Sequence, residues 1–228
     1  RQSLVGSEMC IRDSPNAAHL QSDSILGRLK VSDVGADVDG DGDVDIIYNY
    51  GARSFSIWDE NGTLVYDSGN EFARMLLQMR PDNFPDNRSD DKGSEPESIT
   101  IGVIDGHTYA FIGLERATGI MVYDITDPAN SHFVDYFNHD ESDWSPEGLE
   151  FANIDGKNIL LVGNEAFGGG YYLGSLSAYE VQGGSNWPLG NWVELDNTDF
   201  EVMKNVMYGE AWNARATMFN RIEWVPHN

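Results

Sequence analysis

Pro-Glu-Ser-Ile-Thr-Ile-Gly-Val-Ile-Asp-Gly, residues 96–106, returns fifty positions later as Pro-Glu-Gly-Leu-Glu-Phe-Ala-Asn-Ile-Asp-Gly, residues 146–156. The agreement continues into Phe111-Ile-Gly-Leu-Glu115 and Leu161-Val-Gly-Asn-Glu165, at the same offset. So many coincidences at one spacing mark an internal repeat. Within the first copy, Pro96–Ile104 alternates apolar with small or polar residues, the period of a strand with one face buried. Asp105-Gly106 is a hairpin turn signal, because both central positions of the favoured two-residue turn need positive φ. His107–Leu114 is then the second strand, Gly119–Ile125 the third, and His132–Phe137 the fourth after Thr-Asp-Pro-Ala-Asn. Four antiparallel strands at this period describe one blade of a β-propeller.

The ending of each unit recurs as well. Ser54-Phe-Ser-Ile-Trp58-Asp59, Ile120-Met-Val-Tyr123-Asp124 and Leu176-Ser-Ala-Tyr179-Glu180 are three versions of one penultimate strand, the last displaced by an insertion within the glycine- and tyrosine-rich stretch 168–174. The first unit therefore reads as strands at Arg28–Val34, Val44–Asn49, Ser54–Trp58 and Thr63–Tyr66. Asn191–Leu195 is the expected outer strand of the third. The fold predicted is all-β: a partial β-propeller of about three four-stranded antiparallel blades (28–67, 96–137 and 146–195), with a short C-terminal helix. Glu71–Met79 reads as a short helix, and residues 80–95 as a long polar loop.

Residues 1–22 are expected to be a non-native or disordered leader, since Arg1–Ser14 resemble a translated sequencing adapter. Blades occupy 23–200, and 201–228 reads as a helix and the start of a further, truncated blade. Three blades do not close a ring, so the native chain is expected to continue.

Fourteen Lys and Arg against 38 Asp and Glu give a net charge of −24. Such a field repels phosphate backbones and anionic lipid, which argues against nucleic acid as a partner. It favours divalent cations, although solubility alone also accounts for it. The single cysteine, Cys10, excludes an intramolecular disulfide and a thiolate zinc site. No apolar run approaches the roughly 20 residues of a membrane span.

Two constellations carry candidate chemistry. Asp37-Val-Asp39-Gly-Asp41-Gly42-Asp43-Val-Asp45 places carboxylates at alternate positions with glycine at the sixth, the first half of a calcium loop. The bidentate glutamate of an EF-hand is missing, because Tyr48 stands at the twelfth place. The metal candidates here are Asp37, Asp39, Asp41, Asp43 and Asp45, against the plainer reading of an acidic hairpin. Second, Glu97 and Glu147 hold one place in successive blades, at the entry to the innermost strand, and Glu223 fits that slot in a following unit. Inner-strand starts ring a propeller's tunnel, so these carboxylates are candidates to meet on one metal or substrate; a repeat-specific structural contact is the alternative. Glu115 and Glu165 end the second strands, where ligand and salt-bridge roles both stand. Arg53 and Arg116 follow second strands and are expected to be paired. The histidines show no ligand spacing, and no Gly-x-Ser-x-Gly elbow is present.

Residues 37–58, Arg-Ser-Asp-Asp-Lys-Gly-Ser-Glu-Pro-Glu (88–97), Tyr-Ala-Phe-Ile-Gly-Leu-Glu-Arg (109–116) and Ser-Pro-Glu-Gly-Leu (145–149) resemble the choice-of-anchor I family. The likeness covers about residues 23–182. It implies a bacterial β-propeller at the cell surface, outside the cell or in the periplasm, with its anchor elsewhere. The tail, Gly209-Glu-Ala-Trp through Glu223-Trp-Val, is similar to the entry of PhoX-type alkaline phosphatase propellers, which implies calcium and iron held by tunnel carboxylates. Two functions are thus expected in competition. One is a calcium-binding surface module for adhesion or an unknown ligand. The other is a metal-dependent phosphoesterase acting on a phosphoester, with iron entering only there.

Overall fold

In a computed structural model, residues 17–42, 45–51, 53–138, 143–167, 174–182 and 192–194 are described. Its clearest feature is a pair of hairpins. Asp105 and Gly106 sit at φ +51° and +84°, and Asp155 and Gly156 at +51° and +82°. Two successive left-handed residues turn the chain with the twist of the flanking strands, and Asp tolerates that region better than most side chains. The turns join β5 (Pro96–Ile104) to β6 (His107–Leu114) and β9 (Asp143–Ile154) to β10 (Lys157–Phe167), closing on Ile104 opposite His107 and Ile154 opposite Lys157. The meander continues through β7 (Gly119–Asp124) and β8 (His132–Phe137), with a 3-10 turn Pro128–Asn130 between them. The Asp127 carboxylate accepts the Ala129 N–H there, at 3.3 Å. The next unit continues through β11 (Ser175–Val181) and β12 (Trp192–Glu194). The result is two four-stranded antiparallel sheets, β5-β6-β7-β8 and β9-β10-β11-β12, the architecture expected of propeller blades.

The first unit departs from expectation. Residues 28–67 supply four strands, β1 (Val31–Ser32), β2 (Tyr48–Asn49), β3 (Ser56–Trp58) and β4 (Leu64–Asp67), but as two two-stranded sheets. Both pairs lie beside a remote segment. Lys30 donates its N–H to the Asp90 carbonyl at 2.8 Å, and Arg53 donates from Nη2 to the Ser89 and Asp91 carbonyls at 2.7 and 2.8 Å. The residues flanking β1 and β3 are thereby tied to the 89–91 loop. Asp43 and the expected helix 201–218 lie outside the described residues, as does Glu223.

The helix Glu71–Met79 forms where its pattern predicts, with Phe72 and Leu76, one turn apart, fully buried. It packs on one face of the β5–β8 sheet, where Phe55, Phe72, Leu76, Ala110, Ile112, Met121 and Tyr123 share a core. The Glu71 carboxylate accepts the hydroxyls of Tyr123 at 3.1 Å and Tyr66 at 3.3 Å, fastening the helix start to two strands. Burial, then the Glu71 charge, pushes the Tyr66 hydroxyl up to about 12. The alternate residues Phe111, Ile120 and Val122 point the other way, into a core with Leu160, Val162 and Tyr179 of the next sheet. Phe111 stacks on Phe151 at 5.5 Å, and Phe137 meets Tyr179 edge-on at 4.9 Å. Sheet β5–β8 is therefore covered on both faces over β6 and β7, as a blade between neighbours must be.

Phe151 also lies over Gly102, where an added Cβ would come within 2.6 Å of its ring. The ring is already held against Phe111. Gly102→Ala is expected to cost about 1–3 kcal/mol by overpacking, read as a lower urea midpoint with an unchanged slope. Among the described residues no helix is long and apolar enough to cross a membrane.

Candidate cation sites

The repeat extends to an irregularity. In one sheet Pro96 faces Leu114 and Ser98 faces Gly113; in the other Pro146 faces Asn164 and Gly148 faces Gly163. Glu97 and Glu147 are thus each the extra residue of a β-bulge, a device that re-aims a side chain out of the regular pleat. The residues two before them, Glu95 and Ser145, are both buried and left-handed, at φ +51° and +60°. Antiparallel pairing sets the start of β5 against the end of β6, and the Glu115 N–H donates to the Glu95 carbonyl at 2.8 Å.

Five carboxylates meet as a consequence. Glu95, Glu97 and Glu115 offer oxygens all within 4.8 Å of one another, and so do Glu115, Glu147 and Glu165. Glu115 belongs to both groups, so each of the two bulge glutamates predicted from the repeat comes within reach of one shared carboxylate. Glu95 and Glu115 are buried, while Glu97, Glu147 and Glu165 stand exposed. The cluster has a deep end and a solvent-facing rim.

Counter-charges are unevenly shared. Glu95 takes Arg88 in an ion pair, with Arg88 Nε donating at 2.9 Å, and Lys92 at 3.3 Å. Burial opposes its ionisation, but Arg88, then Lys92, hold its carboxyl below the usual range. Glu115 has Arg116 at 2.7 Å. Burial nonetheless pushes its carboxyl up to about 7, with Arg116 opposing and Glu95, Glu97 and Glu147 adding repulsion. A buried carboxyl repelled by three others is a group whose ionisation a hard divalent cation favours.

The aspartate loop forms a smaller cluster. Asp37, Asp39 and Asp41 place carboxylate oxygens within 4.8 Å of one another, all exposed. Asp37 accepts the N–H groups of Gly40 at 2.6 Å and Gly42 at 3.0 Å, where both glycines have positive φ. Asp45 instead accepts the Val38 N–H at 2.8 Å and closes the loop. Sequence reasoning grouped it with the ligands; the structure gives it this bond.

Glu95 was not anticipated as a member of the larger cluster, and Glu115 and Glu165 were left between two roles. The fifty-residue offset linking Glu115 to Glu165, combined with hairpin pairing, carried the signal for those two. Arg116 is paired, as expected. His107 bonds Asp124 at 2.9 Å, and the corresponding place in the next sheet holds Lys157 with Glu180, also at 2.9 Å. That recurring pair joins the second strand to the third.

Compared with known proteins, residues 2–128 match the family model described as the choice-of-anchor I domain. The chain is similar to Gigasin-3a of Magallana gigas, 30% identical over 165 residues, which is 66% of this chain and 52% of that protein. It spans about half the length of this curated relative. No solved structure matches.

Proposed function

The chain belongs to the choice-of-anchor I domain family, and from that premise we propose that it is a calcium-dependent binding or adhesion module, acting outside the cell or in the periplasm. Membership makes it a surface-associated protein with a propeller-like all-β fold. The proposal assigns two cation sites. Asp37, Asp39 and Asp41 form the first, at the spacing that suits a hard cation. Glu97, Glu115, Glu147 and Glu165, with Glu95 behind them, form the second. The observation that carries the reading is the position of Glu115, shared between two carboxylate groups from adjacent sheets. A cation there joins the two blades through their bulges. The exposed rim leaves room for an acidic or oxygen-rich ligand to complete its coordination.

Calcium titration of the full chain tests this. At a hundredfold excess over Kd, one site adds about 2.7 kcal/mol, roughly 5–11 °C in Tm for a chain of this size. With two sites the rises add; Asp39→Ala with Asp41→Ala is expected to remove one and Glu97→Gln with Glu147→Gln the other. A Tm unmoved by calcium and by chelator in the unsubstituted chain would overturn the proposal.

The glutamate cluster also favours a second reading, a metal-dependent phosphoesterase, because carboxylate-held cations can bind and polarise a phosphoryl oxygen. Turnover of p-nitrophenyl phosphate that needs calcium or iron, and is lost in Glu97→Gln with Glu147→Gln, separates it from the binding module.

A further inference from the structure

The innermost strand of the second unit carries an uncovered apolar stripe. Ile99, Ile101 and Val103 of β5 point to one face of the sheet and are 52%, 57% and 61% exposed. Their cross-strand partners Ile112 and Ala110 lie in the core shared with Phe55 and the Glu71–Met79 helix. That covering layer stops short of β5, so the stripe continues an established interface. A second exposed apolar run lies in the first unit: Ile46 at 41%, Ile47 at 39%, Tyr48 at 43% and Tyr50 at 45%.

The repeat says how the two surfaces fit. Fifty residues on from Ile99 and Ile101 stand Leu149 and Phe151, and both pack against the preceding sheet, with Phe151 stacked on Phe111. Tyr48-Asn-Tyr-Gly-Ala-Arg53 occupies the place in its unit that Phe111-Ile-Gly-Leu-Glu-Arg116 occupies in the next, each ahead of a corresponding strand. The partner of Phe151 is Phe111; by the same relation the partner of Ile101 is Tyr48.

We propose that residues 45–50 form a strap that docks on the β5 stripe, seating Tyr48 over Ile101. Burial of two facing β-branched and aromatic surfaces drives the closure. The strap begins at Asp45, the residue that closes the aspartate loop, and β5 begins at the bulge that carries Glu97. Docking therefore ties the two acidic sites to one strand.

Cysteine cross-linking in the full chain tests the contact, with Cys10→Ser in every variant. Tyr48→Cys with Ile101→Cys is expected to form an intramolecular disulfide under mild oxidation, at least ten times faster than a control pair of Tyr48→Cys with Leu176→Cys. Leu176 is 51% exposed on β11, in another sheet. As a second measurement, Ile101→Asp should speed hydrogen exchange of the 46–50 amides at least tenfold, while the β6 and β10 amides keep their protection. Equal cross-linking of the two pairs, or exchange at 46–50 unaltered by Ile101→Asp, overturns the proposal.

Discussion

Phe111→Ala is expected to destabilise the chain by about 3–5 kcal/mol, lowering Tm by roughly 6–20 °C. Phe111 is fully buried, and its ring lies between two sheets rather than within one. Two losses combine. The removed ring no longer leaves water, and the space it filled is bounded by Phe151, whose own position depends on that stacking at 5.5 Å. Neither hairpin can collapse far into the gap, because Leu160, Val162 and Tyr179 are fixed by their own strands. Leu176→Ala, on an exposed face, is the matched control and should stay within about 0.5 kcal/mol. Urea midpoints read by tryptophan fluorescence and by far-UV circular dichroism should both fall for Phe111→Ala and coincide with each other. Equal midpoints for the two variants would mean that the second and third units do not depend on one another through this core.

What the sequence made legible follows from what is local. Asp-Gly at 105–106 and 155–156 specifies its turn within two residues, so both hairpins turn where expected, and Pro96–Ile104 and His107–Leu114 have the expected bounds. Alternation assigns β5, and the turn and the recurring strand ending then place β6 and β7, whose two faces serve two different cores. The helix at 71–79 also forms where it was expected, and burial of Phe72 and Leu76 accounts for its seat on the sheet. The first unit was only half legible. Its four strand segments are local, but their division into two pairs, and the bonds from Lys30 and Arg53 to carbonyls near residue 90, involve residues distant in sequence. No pattern inside residues 28–67 records those partners.

The candidate sites divide along the same line. Glu97 and Glu147 were legible because the repeat places them, and the bulge that displays them repeats too. Asp37, Asp39 and Asp41 were legible from spacing alone. The bond from the Val38 N–H to Asp45 was not legible, since a short run of aspartates looks uniform in sequence whichever backbone groups its members accept. Glu95 was hidden. Its place in the cluster comes from a left-handed backbone at φ +51° and from the pull of Arg88 and Lys92.

Glu115→Gln is expected to be more stable than the unsubstituted chain at pH 8 in chelator, by up to about 3 kcal/mol, roughly 6–12 °C in Tm. The sign follows from the proton. Burial, reinforced by Glu95, Glu97 and Glu147, raises the Glu115 carboxyl to about 7 in the folded chain, whereas unfolding returns it to the ordinary range near 4.3. Between those two values the folded state holds one proton more than the unfolded state. Stability from this group is fully present below about pH 4 and is lost as pH rises through about 7. Glutamine keeps the neutral form at every pH, so the two chains should melt together near pH 4, diverge as pH rises from there, and stay furthest apart above about pH 7. Calcium should reverse the order at pH 8, because the cation favours the carboxylate that glutamine lacks. A Glu115→Gln chain no more stable than the parent in chelator at pH 8 would mean that Arg116 already compensates the buried charge. An advantage that survives saturating calcium would instead remove Glu115 from the cation site.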